Sequence, residues 1–401
     1  MTTDSAMLLE RMKESAGKEL TGNILPWWIK NMPDPERGGF YGRIDGREKT
    51  ITDAPRGGIL NARILWSFSA AYVKLADQKY LEMATRARDY ILRHFFDNEY
   101  GGTYWSLSGH GKPLETKKQI YSQAFFIYAL TWFHKATGDR ESLYRAIELY
   151  RLIEKHSYDA RYEGYFEAFT REWGEMADLR LSEKDANEKK TMNTHLHILE
   201  AYTSLYSVWP DPQLRKQLAG LVSTFTERIV DPVTSHLNLF FDEEWNQRSA
   251  IVSYGHDIEA SWLLCEAADA LGAADTIKGV ALKIASAAHE GLADDGSLFY
   301  EKDDEAGHFD RDRHWWVQSE ATVGFLNAWQ LSGDNSWLEL AANVLDYINT
   351  HLTDRENGEW FWSIRADGTV NRDDDKAGFW KCPYHNTRMC LEIMERSGDQ
   401  H

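Results

Sequence analysis

The chain has 401 residues, 43% of them hydrophobic, which is enough for a large core. Its net charge of −18 leaves no basic stripe for nucleic acid and disfavours anionic substrates such as sugar phosphates. The polar stretch Met1 to Ala16, and the lack of any run of about eighteen apolar residues, predict neither a signal peptide nor a membrane span. Three sparse cysteines without metal-like spacing indicate free thiols and a cytoplasmic protein: Cys265, Cys382 and Cys390.

One element recurs along the whole chain at intervals of roughly sixty residues: a glycine or small polar residue followed by aromatics. The six copies begin at Gly39, Gly102, Gly164, Asn238, Gly296 and Gly358. Such a period indicates a repeat architecture in which each unit packs against its neighbours. We therefore expect a single domain over residues 1–401.

Two helical stretches separate successive aromatic elements, the first apolar all round and the second amphipathic. In chain order the predicted helices are 5–32, 57–76, 80–96, 119–136, 140–155, 192–208, 212–229, 256–271, 274–289, 315–331, 337–352 and 382–396. Helix terminators are predicted at Gly138-Asp139, Gly333-Asp334 and Gly398-Asp399. The pattern predicts an all-α (α/α)6 barrel of about twelve helices, with the aromatic elements as hairpin loops crowding one end.

Unusual polar residues fall in the first turns of the predicted inner helices. They are Arg63, Tyr121 with Gln123, Asn193 with His195 and His197, His256 with Glu259, Trp315 with Gln318, and His385 with Arg388. In a ring of parallel helices these turns share one end, so the side chains should converge on one cavity. Three repeats carrying histidine at comparable positions favour a functional site over isolated core histidines.

Histidines at such a site are well suited to proton transfer near neutral pH. His256 and Glu259 lie three residues apart on one helix face, where the carboxylate could orient the imidazole or form a simple surface pair. No zinc-protease spacing, phosphate loop or serine nucleophile motif is present, although a distributed three-histidine metal site stays open. We expect no cofactor and no metal.

Several motifs resemble the N-acylglucosamine 2-epimerase superfamily, in particular its cellobiose 2-epimerase branch. The strongest is Ser253 to Trp262, and the others are Thr191 to His197, Trp380 to Asn386, Asn61 to Trp66 and Trp315 to Gln318. The resemblance runs from about residue 18 to 396 with the motifs in order. It implies an (α/α)6 barrel that inverts C2 of the reducing-end sugar of a β-1,4-linked disaccharide without a metal.

The same resemblance implies roles for individual residues. His256 and His385 would carry the two acid/base steps, with His197 close to the reacting end, Arg63 on the enediolate oxygens and Glu259 supporting His256. The expected sugar contacts are Tyr121, Asn193, Glu301, Trp315 and Trp380. Of the adjacent tryptophans, Trp315 is expected in the pocket and Trp316 in the core. The implied partner is a neutral sugar, with no nucleic acid or membrane, and the protein would be a monomer or weak homodimer.

Other functions remain open at this point. The same chemistry could act on a monosaccharide, as a mannose or glucose 2-epimerase or an aldose–ketose isomerase. A glycoside hydrolase on this barrel would need two flanking carboxylates, whereas the helix starts favour histidine. A non-catalytic binding module would have little reason to gather three histidines.

Overall fold

The computed structural model describes residues 3–397, and the helices match the alternation of apolar and amphipathic segments in the sequence. In chain order they are α1 Thr3–Glu19, α2 Leu25–Asn31, α3 Gly58–Leu75, α4 Gln78–His94, α5 Ile120–Thr137, α6 Arg140–His156, α7 Met192–Tyr206, α8 Pro212–Thr224, α9 Tyr254–Leu271, α10 Ala274–Ala288, α11 Trp315–Ser332, α12 Asn335–Tyr347 and α13 Tyr384–Arg396. Short π-helical turns continue three of them, at Leu20–Ile24, Phe225–Ile229 and Ile348–Leu352, and a 3₁₀ turn spans His289–Gly291.

The apolar helices form a closed inner ring. Each of α3, α5, α7, α9 and α11 packs on the next inner helix, and α13 returns to α3. The amphipathic helices α4, α6, α8, α10 and α12 each cover the inner helix that precedes them, while α1 covers α13. This is the expected (α/α)6 barrel, so the predicted fold class is confirmed.

Twelve short strands lie next to the inner helices. They are β1 Arg56–Gly57, β2 Ser106–Leu107, β3 Pro113–Glu115, β4 Lys118–Gln119, β5 Ala168–Phe169, β6 Lys190–Thr191, β7 Phe240–Phe241, β8 Ile251–Ser253, β9 Glu301–Asp303, β10 His308–Asp310, β11 Arg313–His314 and β12 Ser363–Ile364. All pairing is antiparallel, in the orders β1-β2-β3, β8-β9-β10, β4-β5, β6-β7 and β11-β12. Five of these strands run directly into the start of an inner helix, so the strands line that end of the barrel.

Six tight hairpins repeat at the aromatic elements. Each is closed by one antiparallel bridge, and the bridges are Pro33 to Phe40, Phe96 to Thr103, Tyr158 to Tyr165, Val230 to Leu237, Leu292 to Leu298 and Thr353 to Trp360. The strands then join each repeat to the next, for example β4 of one unit to β5 of the following unit. The predicted hairpin loops are therefore present, and ladders between repeats connect them.

Helix ends follow the local chemistry of the sequence. Gly138 and Gly333 end α5 and α11 in the left-handed region, at φ of 75° and 72°, where a glycine has no Cβ to clash. The aspartate after each glycine caps the next helix through its side chain. Gly398-Asp399 lies outside the described residues. The three cysteines are free and buried, as expected, and within residues 3–397 no helix is long and apolar enough to cross a membrane.

Candidate active site

The polar residues at the inner-helix starts divide into two sets with different tasks. One set ties the barrel to its hairpins. Gln123 exchanges two hydrogen bonds with the backbone of Thr103, at 2.9 Å each, and Gln318 does the same with Leu298 at 2.7 and 2.8 Å. Asp257 likewise accepts from the backbone N–H of Leu237. These side chains hold the loops in place.

His195 belongs to this first set. Its Nε2 accepts the backbone N–H of Tyr165 at 2.9 Å, and its Nδ1 lies 2.7 Å from the carbonyl of Thr191. Both ring nitrogens are therefore occupied, and the side chain is fully buried. His195 is a structural residue, unlike His197 two positions later on the same helix.

The second set is clustered at the strand-lined end of the ring, and the space between these side chains is the candidate catalytic cavity. Arg63 on α3 donates to the Tyr121 hydroxyl on α5 at 2.8 Å and to Cys382 Sγ at 3.7 Å. Its guanidinium carbon lies 4.2 Å from the ring centre of Phe125, and its Nε has no partner. Within the described part of the chain Arg63 forms no ion pair, so its buried positive charge is available to an oxygen-rich ligand.

His197 adjoins this arginine group. Its ring centre lies 4.9 Å from that of Tyr121, and its Nδ1 lies 3.0 Å from Glu200 Oε2. Burial would raise the pKa of Glu200, but Arg388 and then His197 lower it to about 2. The ionised carboxylate therefore fixes the imidazole of His197.

His385 is held by Glu320, which comes from the neighbouring inner helix. Its Nδ1 lies 2.6 Å from Glu320 Oε1, and the other carboxylate oxygen accepts from Trp262 Nε1 at 3.1 Å. Burial, together with Arg63 and Arg388, lowers the pKa of His385 well below its usual range. The free imidazole is therefore neutral at physiological pH.

His256 faces the same cavity and is half-buried. Its Nδ1 lies 2.8 Å from Ser253 Oγ, and burial followed by the charge of His197 lowers its pKa to about 3. The prediction that Glu259 supports His256 is wrong, because Glu259 pairs with Arg388 while His256 pairs with Ser253. Glu259 Oε1 accepts from Arg388 at 2.5 Å.

Trp316 lies between the two catalytic candidates. Its ring centre is 4.8 Å from His256 and 5.7 Å from His385, and the side chain is half-buried. The expectation that Trp316 belongs to the core is therefore wrong. Gly255 makes room for it, since a Cβ there would lie 2.6 Å from the Trp316 ring. Trp315 is only 3% exposed and packs on Trp362, with its ring centre 6.4 Å from that of His385.

Two of the remaining predicted sugar contacts line a cleft beside His256, and the third lies close to Tyr121. Asn193 and Glu301 line a cleft of about 380 Å³ together with His256. Asn193 Oδ1 has no partner, and burial followed by Asp310 raises the pKa of Glu301. The ring centre of Trp380 lies 6.2 Å from that of Tyr121, and this side chain is half-buried.

A buried ion network closes the floor of the cavity. Arg388 donates to Glu259 at 2.5 Å, to Glu320 at 2.7 Å and also to Glu200, which in turn accepts from the Tyr384 hydroxyl. Burial, then repulsion from Glu320, raises the pKa of Glu259 to about 7. One arginine thus links the carboxylates that orient His197 and His385.

The same floor contains the ligand atoms that could suit a metal ion. One atom each from Glu259, Glu320 and His385 lies within 4.8 Å of the others. The guanidinium of Arg388 already donates to both carboxylates, and Glu320 is engaged by His385. The positive charge that this cluster needs is therefore supplied by arginine, and the residues do not fit a metal site.

Sequence reasoning missed Glu200 and Glu320, and it gave no role to Ser253, the first residue of the strongest motif. Glu200 follows His197 by three residues, the same spacing that drew attention to His256 and Glu259, so a signal was present. Glu320 and His385 are 65 positions apart on different helices, and nothing local pairs them.

Comparisons with known proteins identify the family of this chain. Residues 39–388 match the family model of N-acylglucosamine 2-epimerase (GlcNAc 2-epimerase). The chain is 58% identical to the cellobiose 2-epimerase of Bacteroides fragilis, covering 96% of this chain and 99% of that protein. It is 42% identical to the cellobiose 2-epimerase of Ruminococcus albus, with 95% and 98% covered.

A solved structure of a cellobiose 2-epimerase is also similar to this chain. The cellobiose 2-epimerase of Bacillus thermoamylovorans superposes with a TM-score of 0.93 at 42% identity, covering 96% of this chain and 100% of that one. The chain therefore belongs to the N-acylglucosamine 2-epimerase family. Within that family it is a carbohydrate 2-epimerase of the cellobiose 2-epimerase type.

Proposed function

We propose that this enzyme inverts C2 of the reducing-end glucose of cellobiose, giving glucosyl-mannose, and that it acts on lactose in the same way. The observation that carries the proposal is the pair of imidazoles of His256 and His385, which contact one ring, Trp316, from two helices. The names of the two curated relatives support the choice of a cellobiose-type substrate.

The chemistry begins with a closed sugar ring, in which the C2 proton is not acidic. Opening the ring exposes the aldehyde, and an acid near the ring oxygen assists this step. His197 takes this role in the proposal, which its contacts with Glu200 and with the Arg63 partner Tyr121 support.

Proton transfer at C2 then needs a neutral base. Both His256 and His385 have lowered pKa values, so each imidazole can accept a proton without first losing one. One histidine removes the C2 proton. The other is first protonated by accepting the anomeric hydroxyl proton as the ring opens, and it then gives this proton to C2 on the opposite face of the enediolate. When the ring closes, the first histidine returns its proton to O1, so both imidazoles end neutral. Inversion follows from the two faces being served by different side chains.

Negative charge builds on O1 as the C2 proton leaves. The Arg63 guanidinium lacks a carboxylate partner within residues 3–397, and it is held by Tyr121 rather than by solvent. A preorganised cation in a dry site stabilises such an oxyanion strongly. Return of the proton to C1 would give the ketose, so a small amount of ketose by-product is expected.

In this proposal the second sugar unit binds outside the catalytic cavity. The cleft that holds Asn193 and Glu301 opens beside His256 and is large enough for one sugar residue. The Asn193 carbonyl and the Glu301 carboxyl offer hydrogen-bond partners to its hydroxyls, and Trp380 offers a ring face at the rim. This cleft favours a disaccharide over free glucose or mannose.

The test is turnover of cellobiose by His256→Ala and His385→Ala, with product separation by chromatography. Each variant should lose about 10²–10⁴-fold or more in kcat, because each supplies a proton-transfer step. His195→Gln is the matched control, since His195 only clamps a hairpin. A near-native rate for either catalytic variant would remove that histidine from the mechanism. Equal use of cellobiose and mannose by the native enzyme would favour a monosaccharide 2-epimerase.

A further inference from the structure

The hairpin of the fourth repeat is attached to its inner helix, α9, by a charged side chain. Asp257 Oδ1 accepts the backbone N–H of Leu237 at 2.8 Å, and Asp257 Oδ2 lies 2.7 Å from His236 Nδ1. In the second and fifth repeats the corresponding clamps are neutral glutamines. Asp257 is fully buried and His236 is 6% exposed. A buried carboxylate is costly unless it is paired, so Asp257 depends on His236.

The same repeat lacks an ion pair that the other repeats contain. In five of the six repeats an aspartate of the hairpin pairs with a lysine or arginine that precedes the next inner helix. These pairs are Asp34 with Arg56, Asp97 with Lys118, Asp159 with Lys190, Asp295 with Arg313 and Asp354 with Lys376. In the fourth repeat Asp231 accepts hydrogen bonds from its own hairpin and forms no ion pair within residues 3–397. Val252 stands where four other repeats carry the cation, two residues before the inner helix. His236 therefore provides the ionic attachment of this hairpin.

The start of α9 also lacks the usual side-chain cap. Ser253 is the residue before the helix, where a serine hydroxyl commonly accepts a backbone N–H of the first turn. Here it makes no such hydrogen bond, and its Oγ lies 2.8 Å from His256 Nδ1 instead. At α7 the equivalent residue, Thr191, does cap its helix. The first turn of α9, which contains His256, is therefore held through Asp257 and not by a cap.

His236 joins three elements at one point. It lies on the hairpin, its Nδ1 faces Asp257 on α9, and its Nε2 lies 3.3 Å from Glu290 Oε2 in the 3₁₀ turn after α10. An ionised carboxylate can only accept, so this arrangement favours a ring that is protonated at both nitrogens. Burial acts to lower the pKa of His236, but the hydrogen bonds and charges of Asp257 and Glu290 outweigh it and raise the pKa. The charged ring therefore attracts both carboxylates towards the hairpin.

We propose that His236 is a positioning residue that acts through Asp257 to fix the first turn of α9 and, with it, the imidazole of His256. His236 does not line the cleft beside His256 and needs no contact with the sugar. The inference rests on the proposed function only in assigning proton transfer to His256. The position of that imidazole can be measured without turnover, so the two proposals can fail separately.

The experiment is proton–carbon NMR of the full chain labelled at histidine Cε1, in which His256→Ala assigns the His256 signal. His236→Gln removes the nitrogen that faces Asp257, because the amide nitrogen of glutamine takes the place of Nε2. We expect the His256 signal to shift or broaden in this variant. His195→Gln is the matched control, since it removes the histidine that clamps the third hairpin, and it should leave the His256 signal in place. An unmoved His256 signal in His236→Gln would overturn the proposal, as would the same displacement in both variants.

Asp257→Asn is the second variant and makes a smaller change. It keeps an oxygen that can accept from Leu237 and removes only the charge that His236 pairs with. It should displace the His256 signal as well. A native His256 signal in folded Asp257→Asn would also overturn the proposal.

Turnover of cellobiose separates positioning from a general loss of structure. The kcat of His236→Gln should fall roughly ten- to hundredfold with KM within about twofold, because misplacing a proton-transfer group slows the chemistry more than it weakens binding. His236→Asn should recover most of kcat, since its amide nitrogen can take the place of Nδ1 and donate to Asp257. Equal losses of kcat in the two variants would contradict the assigned contact. A displaced His256 signal with native kcat would support positioning by His236 and would count instead against proton transfer by His256.

Discussion

The carboxylates behind the histidines decide how each imidazole can act. Glu320 accepts from His385 Nδ1, which leaves the other ring nitrogen free to face the substrate, and Glu200 has the same relation to His197. His256 instead forms a hydrogen bond with the neutral hydroxyl of Ser253. The two proton-transfer residues thus have different supports, one charged and one neutral.

Glu320→Gln should lower kcat by about 10²-fold, because it removes the charge that orients His385 and stabilises its protonated form. The acid limb of the pH–rate profile should also move, which a purely structural defect would not cause. Glu339→Gln, an exposed glutamate on α12, is the control. An unshifted profile with an unchanged kcat would show that Glu320 has no part in positioning His385.

Glu259→Gln should lower activity less than Glu320→Gln does. It should also remove an inflection near pH 7 from the pH profile of kcat/KM. The pKa of Glu259 is raised to about 7, so this group is protonated below that pH and becomes ionised as the pH rises through it. Its charge acts on Arg388 and not on His256 directly. Measuring kcat/KM of both proteins from pH 5.5 to 9 tests this. Superimposable profiles would show that Glu259 does not titrate in this range.

Gly255→Ala should reduce activity by displacing Trp316 from its position between His256 and His385. The new Cβ would meet the Trp316 ring at 2.6 Å, closer than carbon atoms approach. The position tolerates alanine in backbone terms, because it lies inside helix α9. Gly279→Ala on α10, where nothing lies within 4 Å, is the control. Native kcat/KM in Gly255→Ala would mean that the ring can shift without consequence.

At the scale of elements, four hairpins are fixed through backbone groups by a side chain in the first turn of the following inner helix. Gln318 satisfies both backbone groups of Leu298, which is fully buried. The cavity residues depend on this attachment, because β9, with Glu301, follows that hairpin directly. The clamping side chains therefore stabilise the fold, whereas the cavity residues that they position take part in the proposed chemistry.

Gln318→Ala should destabilise the fold by about 1–3 kcal/mol, the cost of leaving buried backbone groups unpaired. Denaturant unfolding of the variant and of Gln213→Ala, an exposed glutamine on α8, measures the difference. Equal unfolding free energies would refute the clamp.

The fold followed closely from the sequence, whereas part of the site did not. Helix periodicity and the recurring aromatic element fix the ring because they are local signals. The sequence alone does not separate the hairpin clamps from the cavity residues. The clamps are Gln123, His195 and Gln318, and their backbone partners lie 20 or 30 positions away in the chain, where no local pattern shows the contact. Trp315 and Trp316 are adjacent on one helix, and only the packing against Gly255 shows which ring reaches the histidines.

At the scale of the whole molecule, the barrel separates two environments. The strand-lined end contains the histidines and Arg63. The other end contains aromatic rings and carboxylates. Arg388 sits between them and supplies the positive charge that the buried carboxylates require. We therefore expect cellobiose turnover to survive exhaustive treatment with EDTA. Loss of activity that a divalent metal restores would contradict this.

The most direct test of the account is epimerisation of cellobiose in deuterium oxide, followed by proton NMR of C2. Two histidines that exchange their protons with solvent should deliver deuterium, so the glucosyl-mannose product should carry deuterium at C2 with its β-1,4 linkage intact. Retention of protium at C2 in the epimer, or release of free glucose in place of an epimer, would contradict proton transfer by His256 and His385.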